Sequence, residues 1–515
     1  MIEPPEAERN SRLRRVDWRF LLGLPRPRKA FCRAGGELTD AVATIAGEIV
    51  TEAPGGGCDL AVAEDPGSPV LDELYAALRP GGACYLEWRP RPGGAERMVR
   101  ALRAAGFTDI TCYRRRYGSG GLPIYWVPLG ARGARAYVRS RLRLPGGRVR
   151  RLRAEVRRRL RDIARGRWAS ISAVAYRPGG APEGERGPSI WLRSDWPRGK
   201  LGPFPARLST LLATGGPRSV NKVVLLAFAE PSPVPCIAVK APRIDRAAAG
   251  LRREATVLES LGARHTPGGI PRLLFRRECD GVPVIGESAI SGRPLDRLLD
   301  RGNFRAWASR VTDWLIALGA ESPVRSAARW REEVVEPALS RFVDQFGSVA
   351  DPDLLRGGER IVRAIGALAV VPEQRDFGPW NLLVTPSGEL AVLDWESGLA
   401  DGLPALDLLY YLAYASFSVD RAYDRDGRVA SYRRSLDASS PTGAVRRECL
   451  ARYAGALGLE ARQLEPLRVL LWLLHAPSDF QHAAADAGGP PEESTLAKSL
   501  FLALWAEEVR HVSAG

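Results

Sequence analysis

Lysine is nearly missing from this 515-residue chain: it occurs only at Lys29, Lys200, Lys222, Lys240 and Lys498. Arginine therefore supplies almost all of the basic residues behind a formal charge of +16. Such a charge ordinarily raises nucleic acid as a partner. An excess of Arg, Ala, Gly and Pro with so little Lys is instead the mark of a GC-rich coding bias, and it makes each lysine informative. Histidine is also scarce, with four dispersed residues, and the seven cysteines form no CxxC pair. That argues against a zinc site and against a disulfide framework. No apolar run is long enough to span a bilayer. The opening MIEPPEAERNSRLRRVDW has no apolar h-region of a secretory signal, so a cytoplasmic location is expected.

The length exceeds the ceiling for a single hydrophobic core, so two or three domains are expected. Three segments are predicted: 1–180, 181–290 and 291–515. In the first, CDLAVAED (58–65) reads as a buried strand and VLDELYAALRPGG (70–82) as a helix ending on a Pro-Gly-Gly turn. ACYLEW (83–88) is the next strand, AERMVRALRAAGF (95–107) a helix with Gly106 at its C-cap, and TDITCYRRRY (108–117) another strand. This order resembles the second half of a class I S-adenosylmethionine-dependent methyltransferase, which implies a Rossmann-like α/β domain. The cofactor half departs from that pattern. WRFLLGLPRPRKAFCRAGGEL (18–38) has no GxGxG, and no clear acidic residue ends a second strand to hold a ribose. S-adenosylmethionine is not expected as a cofactor, and the domain reads as a degenerate, methyltransferase-like scaffold.

Residues 146–167 place Val149, Leu152, Val156, Leu160 and Ile163 at helical spacing among arginines. Such a helix packs on its own domain, and its dense Arg157, Arg158 and Arg159 leave an anionic partner open. WASISAVAYRPGG (168–180) reads as the last strand of the first domain. Beyond residue 189, ARLSTLLATGGPRSVNKVVLLAFAEPSPVPCIAVKAPR (206–243) reads as a three-strand antiparallel meander. A helix over 246–262, two short strands at 270–277 and 282–290, and a largely helical remainder follow. Five strands with one inserted helix, then helices, is the two-lobe plan of a kinase.

QRDFGPWNLLV (374–384), a turn, and LAVLDWE (390–396) carry the chemistry. Phosphoryl transfer needs a carboxylate near the attacking hydroxyl, metal ligands on the phosphates, and a fixed positive charge. Asp376 and Asn381 stand at the D-x-x-x-x-N spacing of a kinase catalytic loop, and Asp394 ends the next strand. With GLPALDLLYYL following, this stretch is similar to the aminoglycoside phosphotransferase and choline kinase family, of protein-kinase-like α+β bilobal fold. The resemblance covers about 189–515. It implies Asp376 as catalytic base, Asn381 and Asp394 as magnesium ligands, ATP as phosphoryl donor, and a hydroxyl of a small molecule as acceptor. Asp407 matches a position expected to buttress the site. Glu396 is a candidate helper for a second metal, with a surface role equally open. Where the family places a histidine, this chain has Gln374.

Lys240 ends CIAVK, where the phosphate-side lysine belongs, with Lys222 as the fallback. Glu254 is its first-choice partner and Glu259 the second. Gly215, Gly216 and Ser219 form a turn suited to close approach of phosphate. ESAISGRPL (287–295) resembles the interlobe linker, whose backbone from Glu287 to Ala289 would meet adenine. The reading is a small-molecule kinase fused to a methyltransferase-like domain. The alternatives are a pseudokinase scaffold and a bifunctional methyltransferase-kinase.

Overall fold

The computed structural model describes residues 6–52, 55–88, 94–117, 123–141, 171–180, 186–215, 222–279, 281–320, 323–487 and 489–514. The Arg-rich segment 146–167 lies outside them, as do Gly216 and Ser219. The chain divides into two compact units, one built mainly of Glu8–Arg252 with Leu273–Ala289, the other of Arg253–Arg272 with Ile290–Gly515.

Among the described residues, the first unit is organised by a twelve-stranded sheet. Its parallel part is β1 (Lys29–Arg33), β2 (Glu48–Val50), β3 (Cys58–Glu64) and β4 (Leu78–Trp88), side by side in the order β2-β1-β3-β4. Strands covered on both faces must be apolar throughout, and CDLAVAE is buried from Cys58 to Ala63. Leu60 and Val62 point into one core, while Ala61 and Ala63 point into the other, as the two-residue strand period requires. The second core is closed by α1 (Ser68–Ala77) and α2 (Gly94–Ala104) through Leu71, Leu74, Met98 and Leu102. Antiparallel β7 (Ile171–Tyr176) lies between β4 and β5 (Thr108–Tyr117), and β6 (Pro123–Pro128) follows β5.

The sheet continues past β6 into β8 (Leu208–Ala213), β9 (Lys222–Ala229), β10 (Ile237–Pro242), β12 (Val282–Ser288) and β11 (Leu273–Cys279), all antiparallel. Strands from both sides of residue 180 thus share one sheet. They also share one core, which runs from Trp18 and Tyr85 through Trp126 to Val239 and Val284. The junction is narrow, since β6 and β8 pair only at Tyr125↔Ala213 and Trp126↔Leu212.

At the start of the unit, WRFLLG forms a short 3-10 helix, Asp17–Leu22, rather than a strand, and the chain reaches β1 only after Pro25 and Pro27. Trp18 stacks flat on Tyr85, with ring centroids 3.8 Å apart. Arg15 reaches the strand-end carboxylates, Glu64 at 3.3 Å and Glu87 at 2.7 Å. Arg115 also pairs with Glu87. Burial alone would raise the Glu87 carboxyl, but Arg115 and Arg15 hold it down at about 2.

The second unit is helical around a small hairpin. Its helices start on local signals: Asp351 accepts from the N–H groups of Asp353 and Leu354 ahead of Pro352, and Ser440 accepts from Gly443 ahead of the helix Pro441–Ala456. Trp330, Phe342, Trp472 and Trp505 are fully buried in it. Strands Leu382–Val384 and Leu390–Val392 pair antiparallel, with Arg293–Pro294 on the outer edge. Among the described residues, no helix is long and apolar enough to cross a membrane.

Candidate active site

In the first unit, Lys240 lies inside the strand Ile237–Pro242, which runs two residues past it and whose six residues are all buried. A buried ammonium needs a charged partner, and its Nζ stands 2.8 Å from Oε1 of Glu287. Both side chains are nearly inaccessible, at 6% and 4%. Glu287 therefore contributes its side chain, because its backbone lies inside β12, opposite Ala238 on one side and Leu273 on the other. The Ala289 N–H donates to the Cys236 carbonyl at 3.3 Å. Lys222 opens β9, opposite Pro242.

Gly215 has φ +71° and is exposed, so the turn after β8 uses a conformation that glycine adopts without strain. Thr214 before it is anchored: its hydroxyl donates to the Pro123 carbonyl at 2.9 Å, and its own carbonyl accepts from Arg243 at 2.9 Å. Arg243 in turn makes a two-point ion pair with Asp17, at 2.8 and 2.9 Å, with both groups buried. Asp17 and Arg243 escaped sequence reasoning because they are 226 residues apart.

In the second unit, Asp376 stands in a cage of donors. Its Oδ2 accepts from Asn381 Nδ2 at 2.8 Å and from Trp380 Nε1 at 3.4 Å, and its Oδ1 accepts from the Tyr410 hydroxyl at 3.3 Å. Asn381 Nδ2 also reaches the Asp376 carbonyl at 2.9 Å, so a cation would meet the Oδ1 of that amide. Gly378 lets the turn close, since a Cβ there would lie 2.2 Å from the Trp380 ring. The Asn381 carbonyl accepts from the Leu393 N–H at 2.9 Å, and the Leu382↔Val392 register places Asn381 beside the strand end that carries Asp394.

Gln374 joins the two halves of this arrangement. It is fully buried. Its Oε1 accepts from the Asp376 N–H at 2.9 Å, while its Nε2 donates to the carbonyls of Leu393 at 3.0 Å and Asp394 at 2.5 Å. The family resemblance has a histidine at this position; in this chain the glutamine amide supplies both the acceptor and the donors. Asp407 supports the same segment from below, accepting from the N–H groups of Gln374 at 2.6 Å and Arg375 at 2.9 Å. Burial raises the Asp407 carboxyl, and the charge of Glu373 adds to the shift. Arg375 and Asp394 have φ +69° and +66°, a region that non-glycine residues seldom occupy and that clusters at functional sites.

Burial, and then the charge of Asp394, push the Asp376 carboxyl up to about 6 against the pull of its three side-chain donors. The helix Ala248–Gly262 buries Glu254 and exposes Glu259. Within its own unit Glu254 accepts from the Trp395 N–H at 3.0 Å, next to Asp394. The Glu396 carbonyl accepts from Arg253 at 3.3 Å. Asp479 is engaged at a helix start, by the Ser499 hydroxyl at 2.7 Å and the Phe501 N–H at 3.4 Å.

Tyr410 was also missed. It lies one turn after Asp407 on the helix Leu406–Asp420, with Tyr414 a turn further, so all three share a face. That i, i+3, i+7 spacing is visible in ALDLLYYLAY. His475 stacks on Tyr410 at 4.6 Å, and burial with the nearby Arg375 charge lowers its pKa to about 3, so the ring is neutral. Trp380, 39% exposed, meets Tyr414 edge-on at 4.9 Å.

No family model matches the sequence, and no curated protein matches it. Among solved structures, similarity is found to aminoglycoside phosphotransferases. One is the GDP and kanamycin complex of APH(2'')-IIIa, 14% identical, covering 58% of this chain and 93% of that one at TM-score 0.35. A second is a thermostable mutant of APH(4)-Ia with ADP and hygromycin B, 15% identical, covering 62% and 97% at 0.37. A third is APH(3'')-Id from Streptomyces rimosus with ADP and streptomycin, 17% identical, covering 49% and 90% at 0.32.

Proposed function

We propose that the chain is an ATP- and magnesium-dependent phosphotransferase acting on a hydroxyl of a small molecule, such as a sugar or an aminoglycoside-like metabolite. The carrying observation is Gln374, which binds the backbone of Asp376 with one end of its amide and that of Asp394 with the other. A loop held in this way keeps a base and a metal ligand in register, and positioning is most of what phosphoryl transfer requires.

Asp376 orients the acceptor hydroxyl and takes its proton on a carboxylate. A pKa of about 6 leaves that carboxylate ionised at neutral pH and more basic than an exposed aspartate. Asn381 Oδ1 and the Asp394 carboxylate are hard oxygen donors of the kind magnesium takes. Among the described residues no group of three His, Cys, Asp or Glu side chains is placed to hold a metal. Magnesium commonly takes one or two protein ligands beside phosphate oxygens. When bound, ATP supplies the phosphoryl group and magnesium offsets its charge. Lys240, fixed by Glu287, is assigned to the α- and β-phosphates, and Gly215 with Gly216 and Ser219 to the covering turn. Trp380 and Tyr414 offer the acceptor an aromatic wall beside Asp376.

For residues 1–180, which supply the parallel part of the first unit, a methyltransferase-related α/β scaffold that does not bind S-adenosylmethionine is proposed. Its support is the parallel order β2-β1-β3-β4 and the engagement of the strand-end carboxylates by the chain itself. Glu64 accepts from the Gly35 N–H at 3.1 Å as well as from Arg15. Calorimetry with S-adenosylmethionine is expected to show no heat of binding, and binding would overturn this part.

The phosphotransferase reading is tested by ATP consumption against sugars, aminoglycosides, choline and nucleosides. Asp376→Ala is expected to abolish turnover and keep ATP binding, whereas Asp394→Ala loses magnesium-dependent binding. Full activity in both variants would sink the assignment, and absence of turnover by the wild type with every acceptor would favour a pseudokinase scaffold.

A further inference from the structure

A cleft of about 640 Å³ opens in the first unit where β6 and β8 part, and it shares no residue with the candidate active site. Its origin is in the sequence. β8 pairs with β9 along its whole length, from Leu208↔Ala229 to Ala213↔Val224, but with β6 only at Leu212 and Ala213. Continuing the second ladder would bring Pro128 opposite Thr210, and proline has no N–H to donate. The chain instead leaves the sheet at Pro128 and turns through Gly130 into α3 (Arg132–Arg141). A wedge is left between Pro128–Ala131 and Arg207–Thr210, with one face of α2 along its side.

The wedge is apolar inside, with Val99, Ile110, Leu129 and Leu208 among its walls, and basic at its rim, with Arg100, Arg103 and Arg207. All three arginines are exposed. Among the described residues none of them makes an ion pair, although exposed arginines elsewhere do, as Arg33 with Glu73, Arg252 with Glu278 and Arg363 with Glu336. Of the two acids on the lining, Glu230 is already committed. It accepts from the Gly133 N–H at 2.9 Å, the Ala134 N–H at 3.5 Å and the Ser209 hydroxyl at 2.5 Å. Those bonds hold its carboxyl below the usual range although burial opposes them. Glu96 is the remaining acid, so the rim keeps a net positive charge.

We propose that this wedge is a second binding site, for a small phosphate monoester with an apolar ring. Guanidinium groups match phosphate oxygens in geometry as well as charge, three of them suit a dianion, and Thr111 adds a hydroxyl donor. The volume is that of a small-molecule site, and the apolar walls take the organic part.

Calorimetry on the full chain with phenyl phosphate, phenol and inorganic phosphate tests the assignment. Phenyl phosphate binds, and phenol and inorganic phosphate each bind at least tenfold more weakly, since each lacks one half of the recognition. The double variant Arg103→Ala/Arg207→Ala loses at least tenfold in affinity for phenyl phosphate with its melting temperature unchanged, as expected for exposed positions, and Arg100→Glu weakens binding further. Absence of phenyl phosphate binding to the wild type, or equal affinity in the double variant, overturns the site. The second outcome would place the phosphate elsewhere on the chain.

Discussion

Replacing Gln374 by leucine removes the join between the base and the metal ligand while nearly keeping the volume. Three hydrogen bonds go with it, to the Asp376 N–H and to the carbonyls of Leu393 and Asp394. Each is worth about 1 kcal/mol net, and the partner groups left unsatisfied in the interior add to the cost, so a stability loss of about 3–5 kcal/mol is expected. Losing the tie also frees Asp376 to move relative to Asp394. A displacement on the order of 1 Å reduces kcat about 10²-fold. Urea unfolding and a coupled assay of ADP release measure the two effects separately. Gln374→His should recover most of the turnover. A neutral imidazole has one acceptor for the Asp376 N–H and one donor for the Asp394 carbonyl, and loses only the bond to Leu393. A leucine variant with wild-type kcat and stability would refute the role given to this residue.

With a pKa of about 6, the Asp376 base makes kcat/KM fall tenfold per pH unit below that value and level off above pH 7, which a pH–rate profile checks. The same shift has a cost in stability. The folded carboxyl binds its proton more tightly than the unfolded one, so the penalty is absent below pH about 4 and complete above pH about 6, where it reaches roughly 3 kcal/mol. Asp376→Asn should therefore be inactive yet more stable than the wild type at pH 8, in the absence of nucleotide and metal, and denaturant melts at pH 4 and pH 8 will show whether the gain appears only at the higher value. Glu508 is buried between Arg446 at 2.5 Å, Arg468 at 2.7 Å and the Tyr432 hydroxyl at 2.5 Å. Glu508→Ala strands two guanidinium charges and should cost about 3–5 kcal/mol; an unchanged melting temperature would contradict this. Burial would raise that carboxyl, but Arg446 and Arg468 hold it low. Its contribution is present above the unfolded carboxylate range and is lost as pH falls through the lowered folded value.

Features set by neighbours in the chain were readable from the residues. The strand CDLAVAE, the meander from β8 to β10, the helix after Lys240 and the hairpin that carries Asn381 and Asp394 rest on apolar period, turn residues and caps, which act over a few positions. The spacing of Asp376 and Asn381 belongs to the same class, because a six-residue turn is enough to bring one side chain onto the other.

Partners far apart in sequence were not readable. Nothing near Lys240 says that Glu287 rather than another carboxylate lies 2.8 Å away, since β12 comes beside β10 only after an intervening helix and strand. The tie from Gln374 to Asp394, the Tyr410 hydroxyl on Asp376, and the Arg243–Asp17 pair are of the same kind. So is the two-residue ladder between β6 and β8, which joins the N-terminal α/β strands to the five-stranded antiparallel part and opens the wedge beside it. A strand's period tells which face it buries but not which strand it will meet. That choice is made when burial of the whole core is settled, and here it decided what surrounds Lys240 and how Asp376 is held.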